Sequence, residues 1–406
     1  MTKNKFISKK FKDTNININF EIYRGVLYFK LLDGFIKLCI DNFNTDIFSL
    51  KKPYYRTLTN LLSGWFFYMY SKYDFSNDSF FPSNYYDKTY IISTIKDYAS
   101  TDSTIVNFND KINNILCGID ILYKHILIKI KIFNNTNYIL NLNKYHYEKI
   151  INNKIIFYYK YRIDITFSNK KLTNIFKNII IPRNTFNKMK NNYDGPNNKL
   201  DEYIWIILFR YQLLGSNNNQ LSILPTIFKK IKKDFNSSNE LFASAINSNL
   251  NNYCSLYYDI EKYFGSKGSF FHFIPLEGTF ICNPPYQKDL IENTINRLLE
   301  FLNYSYKLSF IITIPIWDLE GKKIMEKNNM PNNNNIINYE DFFIIKKIKQ
   351  SKYFKGIKMI SKDDFTYYDH NFNIYKNSTI QNTYIIVLSN YNNNYIDILN
   401  KYNFKE

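Results

Sequence analysis

The sequence predicts an α/β protein. An open sheet whose strands alternate with helices fills residues 196–395, a mixed, mainly helical domain precedes it over 1–195, and a short tail, 396–406, follows. Three observations predict this. Thr279-Phe280-Ile281-Cys282 is an apolar run of strand length, stopped by a Pro-Pro pair that cannot donate to a sheet ladder. Leu290, Ile291, Thr294, Ile295, Leu298, Leu299 and Leu302 then recur at helical spacing, and further buried-strand runs follow at 308–314 and 383–388. Finally, Asn191-Asn192-Tyr193-Asp194-Gly195-Pro196-Asn197-Asn198 concentrates turn formers and reads as a linker.

At 406 residues the chain can hold two ordinary domains, and its apolar and aromatic content excludes a disordered protein. The surplus of Asn, Ile, Lys and Tyr looks like the stamp of an A/T-rich genome. A net charge of +18 points to a polyanion such as RNA, although lysine-biased coding raises charge without selection for binding. Cys39, Cys117, Cys254 and Cys282 lie far apart, which suits neither a disulfide framework nor a zinc site, and the four histidines are equally dispersed. No metal is expected. Residues 1–13 are polar and lysine-rich, unlike a signal peptide, and apolar runs stop at about ten residues, short of a bilayer span. A soluble, intracellular protein without a membrane partner is expected; its oligomeric state is not written in the sequence.

In the first domain, 21–30 alternates enough to be a strand. Leu58, Leu61, Leu62, Trp65 and Phe66 share one face of a helix over 56–73. Residues 121–133 alternate Ile and Leu with Lys and His, and 154–167 alternate again, so the two are expected to pair. After the linker, Ile204, Ile207, Leu208, Tyr211 and Leu214 mark a helix ended by Gly215. Leu224, Ile227, Phe228, Ile231 and Phe235 mark a second, with Pro225 in its first turn.

Strand, polar tetrapeptide, helix: Asn283-Pro284-Pro285-Tyr286 sits at the carboxyl end of a strand, where open α/β sheets bind ligands. The residues suit methylation of a planar nitrogen. An exocyclic amine or side-chain amide keeps its lone pair in conjugation and is a poor nucleophile. The Asn283 side-chain oxygen and the Pro284 carbonyl accept its two N–H bonds and turn the lone pair towards a methyl donor. Pro285 holds that carbonyl without a competing N–H, and Tyr286 stacks on the flat substrate. The plainer alternative is a strand end with an Asn-Pro turn. Upstream, Glu240, Phe242, Ala243, Ser244 and Asn247 form a segment suited to the first strand-to-helix turn of a nucleotide-type fold, although it lacks the glycines of a full fingerprint. Between the two segments, Gly265, Ser266 and Gly268 permit a tight loop and are expected to contact the substrate, and Asp259 or Glu261 is placed for ribose hydroxyls; the alternative is a surface turn.

Tyr263-Phe264-Gly265-Ser266-Lys267-Gly268-Ser269-Phe270-Phe271, then Gly278-Thr279-Phe280 leading into Asn283-Pro284-Pro285-Tyr286, resembles the phosphorylated CTD-interacting factor family of cap-specific adenosine methyltransferases. Arg210-Tyr211-Gln212, Gln220 with Pro225 and Phe228, Phe242-Ala243-Ser244 with Asn247, and Leu308-Ser309-Phe310-Ile311 through Pro315 and Trp317 carry the same likeness, firmly over 200–320 and loosely to about 390. The resemblance implies a helical domain followed by a Rossmann-like, S-adenosylmethionine-dependent methyltransferase domain. It also implies N6-methylation of the adenosine beside a 7-methylguanosine mRNA cap, with capped mRNA as partner; Trp317 is a candidate cap or base contact, the alternative being a buried core Trp. Three departures stand out. Tyr286 replaces the usual Phe, which keeps stacking and adds a hydroxyl, so Phe at 286 is expected to be tolerated. Ile316 replaces an acidic residue between Pro315 and Trp317. The family's WW domain is not visible, so binding to the polymerase tail is not expected.

Release-factor glutamine methyltransferases share Asn-Pro-Pro-Tyr but carry a Gly-rich first loop and lack the Tyr-Phe-Gly-Ser-x-Gly block. A DNA adenine methyltransferase would carry a target-recognition insertion beside the motif. A decayed methyltransferase serving as an RNA-binding scaffold is the non-enzymatic alternative; the intact tetrapeptide argues against it and the glycine-poor donor loop argues for it.

Overall fold

The computed structural model describes residues 5–8, 16–49, 53–72, 78–99, 106–135, 146–159, 166–167, 170–171, 178–215, 220–237, 239–315, 343–372, 374–377 and 382–405. The chain divides into two compact units. A helical unit comprises Lys12–Lys190 with Gly195–Asn217, and a sheet unit comprises Met1–Phe11, Asn191–Asp194 and Asn218–Glu406. The helix at 200–213 thus groups with the helical unit, across the linker at which sequence alone divides the domains. No described helix is long and apolar enough to cross a membrane.

In the helical unit, α1 (Ile18–Asn42) packs against α2 (Tyr54–Lys72), α4 (Phe108–Asn135) and α6 (Leu200–Leu213), with α3 (Thr89–Ala99) against α2. Asn17 caps α1 by accepting from the Asn19 N–H at 2.8 Å. Two expectations are corrected. Residues 21–30 belong to α1 and 121–133 to α4, and neither stretch is a strand. In a chain this rich in isoleucine, alternation arises by chance. The buried set Ile119, Tyr123, Ile126 and Ile130 follows the helical period, while Ile121 and Ile128 face outward. The strand β3 (Lys154–Tyr159) pairs with β2 (His146–Ile151) and β4 (Asn178–Pro182), which leads into α5 (Arg183–Asn192), and not with 121–133. An aromatic core of Tyr28, Trp65, Phe66, Phe80, Phe81 and Tyr123 fills the unit, and the Trp65 indole donates to the Asp87 carbonyl at 2.8 Å.

Four buried charges tie this core together. Glu21 accepts from Arg24 and, at 2.9 and 2.5 Å, from Nε and Nη2 of Arg210. Arg24 also donates to Asp78 at 3.0 and 2.7 Å, and Asp78 accepts the N–H groups of Phe80 and Phe81 at 2.8 Å each. Two guanidinium and two carboxylate groups cancel in charge, and their hydrogen bonds offset desolvation that neither sign could bear alone.

The sheet unit is organised by β8 (Phe273–Cys282). Its second half runs parallel to β9 (Leu308–Pro315) on one side and to β6 (Asn239–Glu240) on the other, and β6 continues parallel to β7 (Asn252–Tyr253). Beyond β9 lies β13 (Thr383–Ser389), antiparallel to it, and then β10 (Phe354–Ile360), antiparallel to β13. The order is β10-β13-β9-β8-β6-β7, with β1 (Lys5–Ser8) antiparallel to the first half of β8. Phe280, Cys282, Phe310 and Ile312 face Ile291, Ile295 and Leu298 of α8 (Lys288–Tyr304) and Ile345 and Ile348 of α9 (Phe343–Gln350). On the other face, Ile281, Ile311, Ile385 and Val387 meet Ile227, Phe228 and Ile231 of α7 (Pro225–Asp234). Cover on both faces explains why these strands are unbroken apolar runs. Residues after 396 contribute Leu399, Tyr402 and Phe404 to the same core, and Lys358 clamps this end by donating to the carbonyls of Leu399, Asn400 and Tyr402. A small antiparallel sheet, β12-β11-β5, joins Ile374–Asn377 and Thr366–Asp369 to Leu221–Ile223.

Removing one partner from a buried, hydrogen-bonded charge cluster leaves the others uncompensated. Glu21→Ala should therefore destabilise the helical unit by about 3–5 kcal/mol, measured by denaturant unfolding. A loss below about 1 kcal/mol would show that the cluster is dispensable.

Candidate active site

The strand order reverses at β6: the chain passes from β6 outward to β7, then back across to β8 on the other side. In open α/β sheets the crevice at the carboxyl ends of two such strands is the ligand site. The segment 241–250 leaves the end of β6 there, and Asn283-Pro284-Pro285-Tyr286 leaves the end of β8.

Buried carboxylates shape the first segment. The Glu240 Oε1 accepts the N–H groups of Asn249 and Leu250, both at 2.6 Å. Glu261, fully buried in the helical turn Tyr258–Glu261, accepts the Ala245 N–H at 2.7 Å through one oxygen and the Tyr257 N–H at 3.2 Å through the other. The loop closes on itself as well. Asn247 Oδ1 accepts from the Ser244 N–H at 2.7 Å, and Ser244 Oγ accepts from the N–H groups of Ile246 and Asn247 while donating to Gln220 Oε1 at 2.7 Å. Ala243 and Leu241 bond to the carbonyls of Cys254 and Ile281. Phe242 packs against Phe270 and Phe271, at ring-centroid distances of 4.7 and 6.1 Å. Of the two candidate ribose ligands, Glu261 has both oxygens engaged by backbone N–H groups. Asp259 lies two residues earlier in the same turn and is buried as well.

The Gly265–Gly268 block is built onto β7, two strands from the strand that carries Asn283. Lys267 donates to the Tyr253 carbonyl at 2.7 Å and Ser255 to that of Gly268 at 2.9 Å. Ser266 Oγ lies 2.6 Å from Ser255 Oγ and accepts the Gly268 N–H. Gly265 and Gly268 have φ of +99° and +96°, and a Cβ on Gly265 would lie 2.2 Å from the Asn251 carbonyl oxygen. Glycine is required there by both conformation and space. This block braces the side of the crevice formed by the loop after β6.

At the end of β8, Asn283 is half-buried and its amide is held at both ends. Nδ2 donates to the Leu221 carbonyl at 3.4 Å, and Oδ1 accepts from the Tyr286 hydroxyl at 3.0 Å. Pro285 accepts the Gln287 N–H at 2.8 Å, which carries the chain into α8. The Tyr286 ring is partly buried against the α7 side of the core and tilts against Tyr367 at 6.3 Å. Burial, then the adjacent Tyr367, pushes the Tyr286 phenol well above its ordinary pKa, so it stays a neutral donor. Burial likewise raises the Cys282 thiol, with Cys254 adding to it, which removes it as a nucleophile at neutral pH. Trp317 lies outside the described residues.

Strand β5 joins the two halves. Gln220 meets Ser244, Leu221 meets Asn283, and Ser222 Oγ lies 2.9 Å from the buried His370 Nε2. Sequence reasoning quoted Gln220 only within a likeness and missed Leu221, whose contribution is a backbone carbonyl.

Residues 171–343 match the family model described as the phosphorylated CTD interacting factor 1 WW domain, a stretch that here holds β5 to β9 and the Asn283 tetrapeptide. The proteins named mRNA (2'-O-methyladenosine-N(6)-)-methyltransferase from Mus musculus and Homo sapiens are each 35% identical to it over 121 residues, 28% of this chain. The chain matches only 17% of the length of those curated relatives. Over these residues, which hold the tetrapeptide at the strand end and the loop after β6, the chain is similar to the phosphorylated CTD interacting factor 1 family.

Proposed function

We propose that this protein is an S-adenosylmethionine-dependent RNA methyltransferase that forms N6-methyladenosine on the cap-adjacent adenosine of capped mRNA. The observation that carries the reading is the seat of Asn283-Pro284-Pro285-Tyr286 at the carboxyl end of β8, beside the β6 switch point. The names of the two mammalian relatives supply the substrate class. The sheet order supports a Rossmann-like methyltransferase fold: a single antiparallel strand, β13, lies between β9 and β10 in an otherwise parallel path.

The loop after β6 fits a methyl donor of this kind. Its N–H groups at 241 and 243–247 are taken by acceptors within the protein, so it is no phosphate cradle. What it offers instead are small side chains beside the buried carboxylates Glu240, Asp259 and Glu261, a field that favours a cationic sulfonium. Phe242, Ala243, Ser244 and Asn247 would line the donor, with Asp259 on its ribose side, while Glu240 and Glu261 hold the loop from beneath. When bound, S-adenosylmethionine supplies an electrophilic methyl group.

The chain's own part is alignment. Asn283 Oδ1 and the Pro284 carbonyl accept the two N–H bonds of the adenine amine and turn its lone pair out of the ring plane. Those bonds strengthen as the nitrogen acidifies during transfer, so stabilisation grows towards the transition state. No general base is required, because the amine becomes acidic only as its new bond forms. The exposed Lys229, Lys230, Lys232 and Lys233 on α7 add positive charge for an RNA backbone.

A labelled-methyl assay comparing capped RNA starting with A, capped RNA starting with G, uncapped RNA, DNA and a release factor should show transfer to the first above all. Equal rates on capped and uncapped RNA would reduce the protein to a general RNA methyltransferase. Asn283→Ala should lower kcat on the order of 10²-fold, as loss of one aligned polar group in an active site does, with donor affinity by calorimetry little changed. A folded Asn283→Ala protein that methylates at the wild-type rate would refute the assignment.

A further inference from the structure

The geometry points to a positioning role for the Tyr286 hydroxyl: it fixes the side-chain amide of Asn283 in the orientation that presents oxygen to the substrate. The inference rests on the methyl-transfer reading of this site.

An asparagine amide is nearly symmetric in shape, and a half-turn exchanges its acceptor for a donor. A flipped Asn283 would meet the substrate amine with N–H groups and repel it. One contact selects the orientation and a second holds it. The Leu221 carbonyl takes only a donor, which places Nδ2 on that side. The Tyr286 hydroxyl, neutral because it is buried, donates to Oδ1 at 3.0 Å. The Leu221 contact is long, at 3.4 Å, and the shorter phenol bond holds the amide in the orientation that this carbonyl selects. An amide oxygen has two lone pairs, so one remains for the substrate N–H after Tyr286 has used the other.

The phenol is itself held. Tyr286 and Tyr367 share a hydrogen bond between their hydroxyls, and Tyr367 lies 3.0 Å from the Thr383 hydroxyl. The relay runs from β13 through β11 to the motif, all within the sheet unit. Buried hydroxyls in such a chain reinforce one another. The hydroxyl that Tyr286 adds to the family's usual Phe therefore has a function, and Phe at 286 is not neutral.

The test is steady-state kinetics on capped RNA with the full chain. Tyr286→Phe keeps the ring and should leave KM for RNA within about twofold while lowering kcat about tenfold, the signature of an interaction needed for alignment rather than capture. Tyr367→Phe, which breaks the relay one step back, should lower kcat in the same direction by about threefold; it also carries the test if Tyr286→Phe fails to fold. In the Asn283→Ala background, Tyr286→Phe should have no further effect on kcat, because the hydroxyl acts only through Asn283. Wild-type or faster turnover by Tyr286→Phe would overturn the inference, and so would a double variant slowed by the full product of the single effects. Should the wild-type protein methylate no RNA, the functional reading falls, and nitrogen-15 NMR of the Asn283 side chain still decides this one. Two distinct, exchange-protected amide protons that lose protection in Tyr286→Phe support it; an unchanged pair overturns it.

Discussion

The structure at the carboxyl end of the sheet depends on carboxylates that are out of water. A buried carboxylate is tolerable only when N–H donors surround it, and Glu240 and Glu261 recruit theirs from the backbone of one loop and its neighbour. Glu240 draws in Asn249 and Leu250, and Glu261 draws in Ala245 and Tyr257. These four bonds set the path of the chain over the end of β6. Once the path is set, Ser244 reaches Gln220, and the next residue of β5 reaches Asn283. The loop after β6 and the tetrapeptide after β8 are thus in register because two acids had to be neutralised.

The same constraint explains the missing glycines. A Gly-rich loop is needed where the backbone must adopt positive φ or leave N–H groups free for an anion. No residue from 240 to 250 has positive φ, and the N–H groups are used internally. The glycine-poor loop, which in sequence argues for decay, is a loop whose conformation alanine and serine reach without strain. Where positive φ is required, at Gly265 and Gly268, the glycines are present.

Much of the sheet unit was legible because it is covered on both faces. Runs such as 279–282, 308–314 and 383–388 have no exposed side and so admit no competing period. The helical unit was harder. Over 121–133 isoleucines stand on the exposed as well as the buried face of α4, and the surplus imitates a strand; at 21–30 the buried Glu21 and Arg24 disguise the apolar face of α1. Of the site, Asn283 to Tyr286 was legible because proline punctuates it. Glu261 was legible as an acid in the right place but not as a backbone anchor, since only its two oxygens' partners distinguish a ligand-facing acid from a structural one. Leu221, Tyr367 and Thr383 gave no signal. One acts through its carbonyl, and the others meet Tyr286 only through the register of β11 and β13.

That register gives the small β12-β11-β5 sheet a place in the chemistry. Asn283 is touched from β5 by Leu221 and, through Tyr286, from β11 by Tyr367. β5 and β11 are themselves neighbours, with Leu221 opposite Asp369 and Ile223 opposite Tyr367. Both restraints on one amide therefore come from a single pair of strands, and a shift of that pair moves them together. An acceptor held by two independent loops could lose one restraint and keep the other. Here Leu221 and Tyr367 stand on adjacent strands of one small sheet, so the two contacts are coupled through a single register.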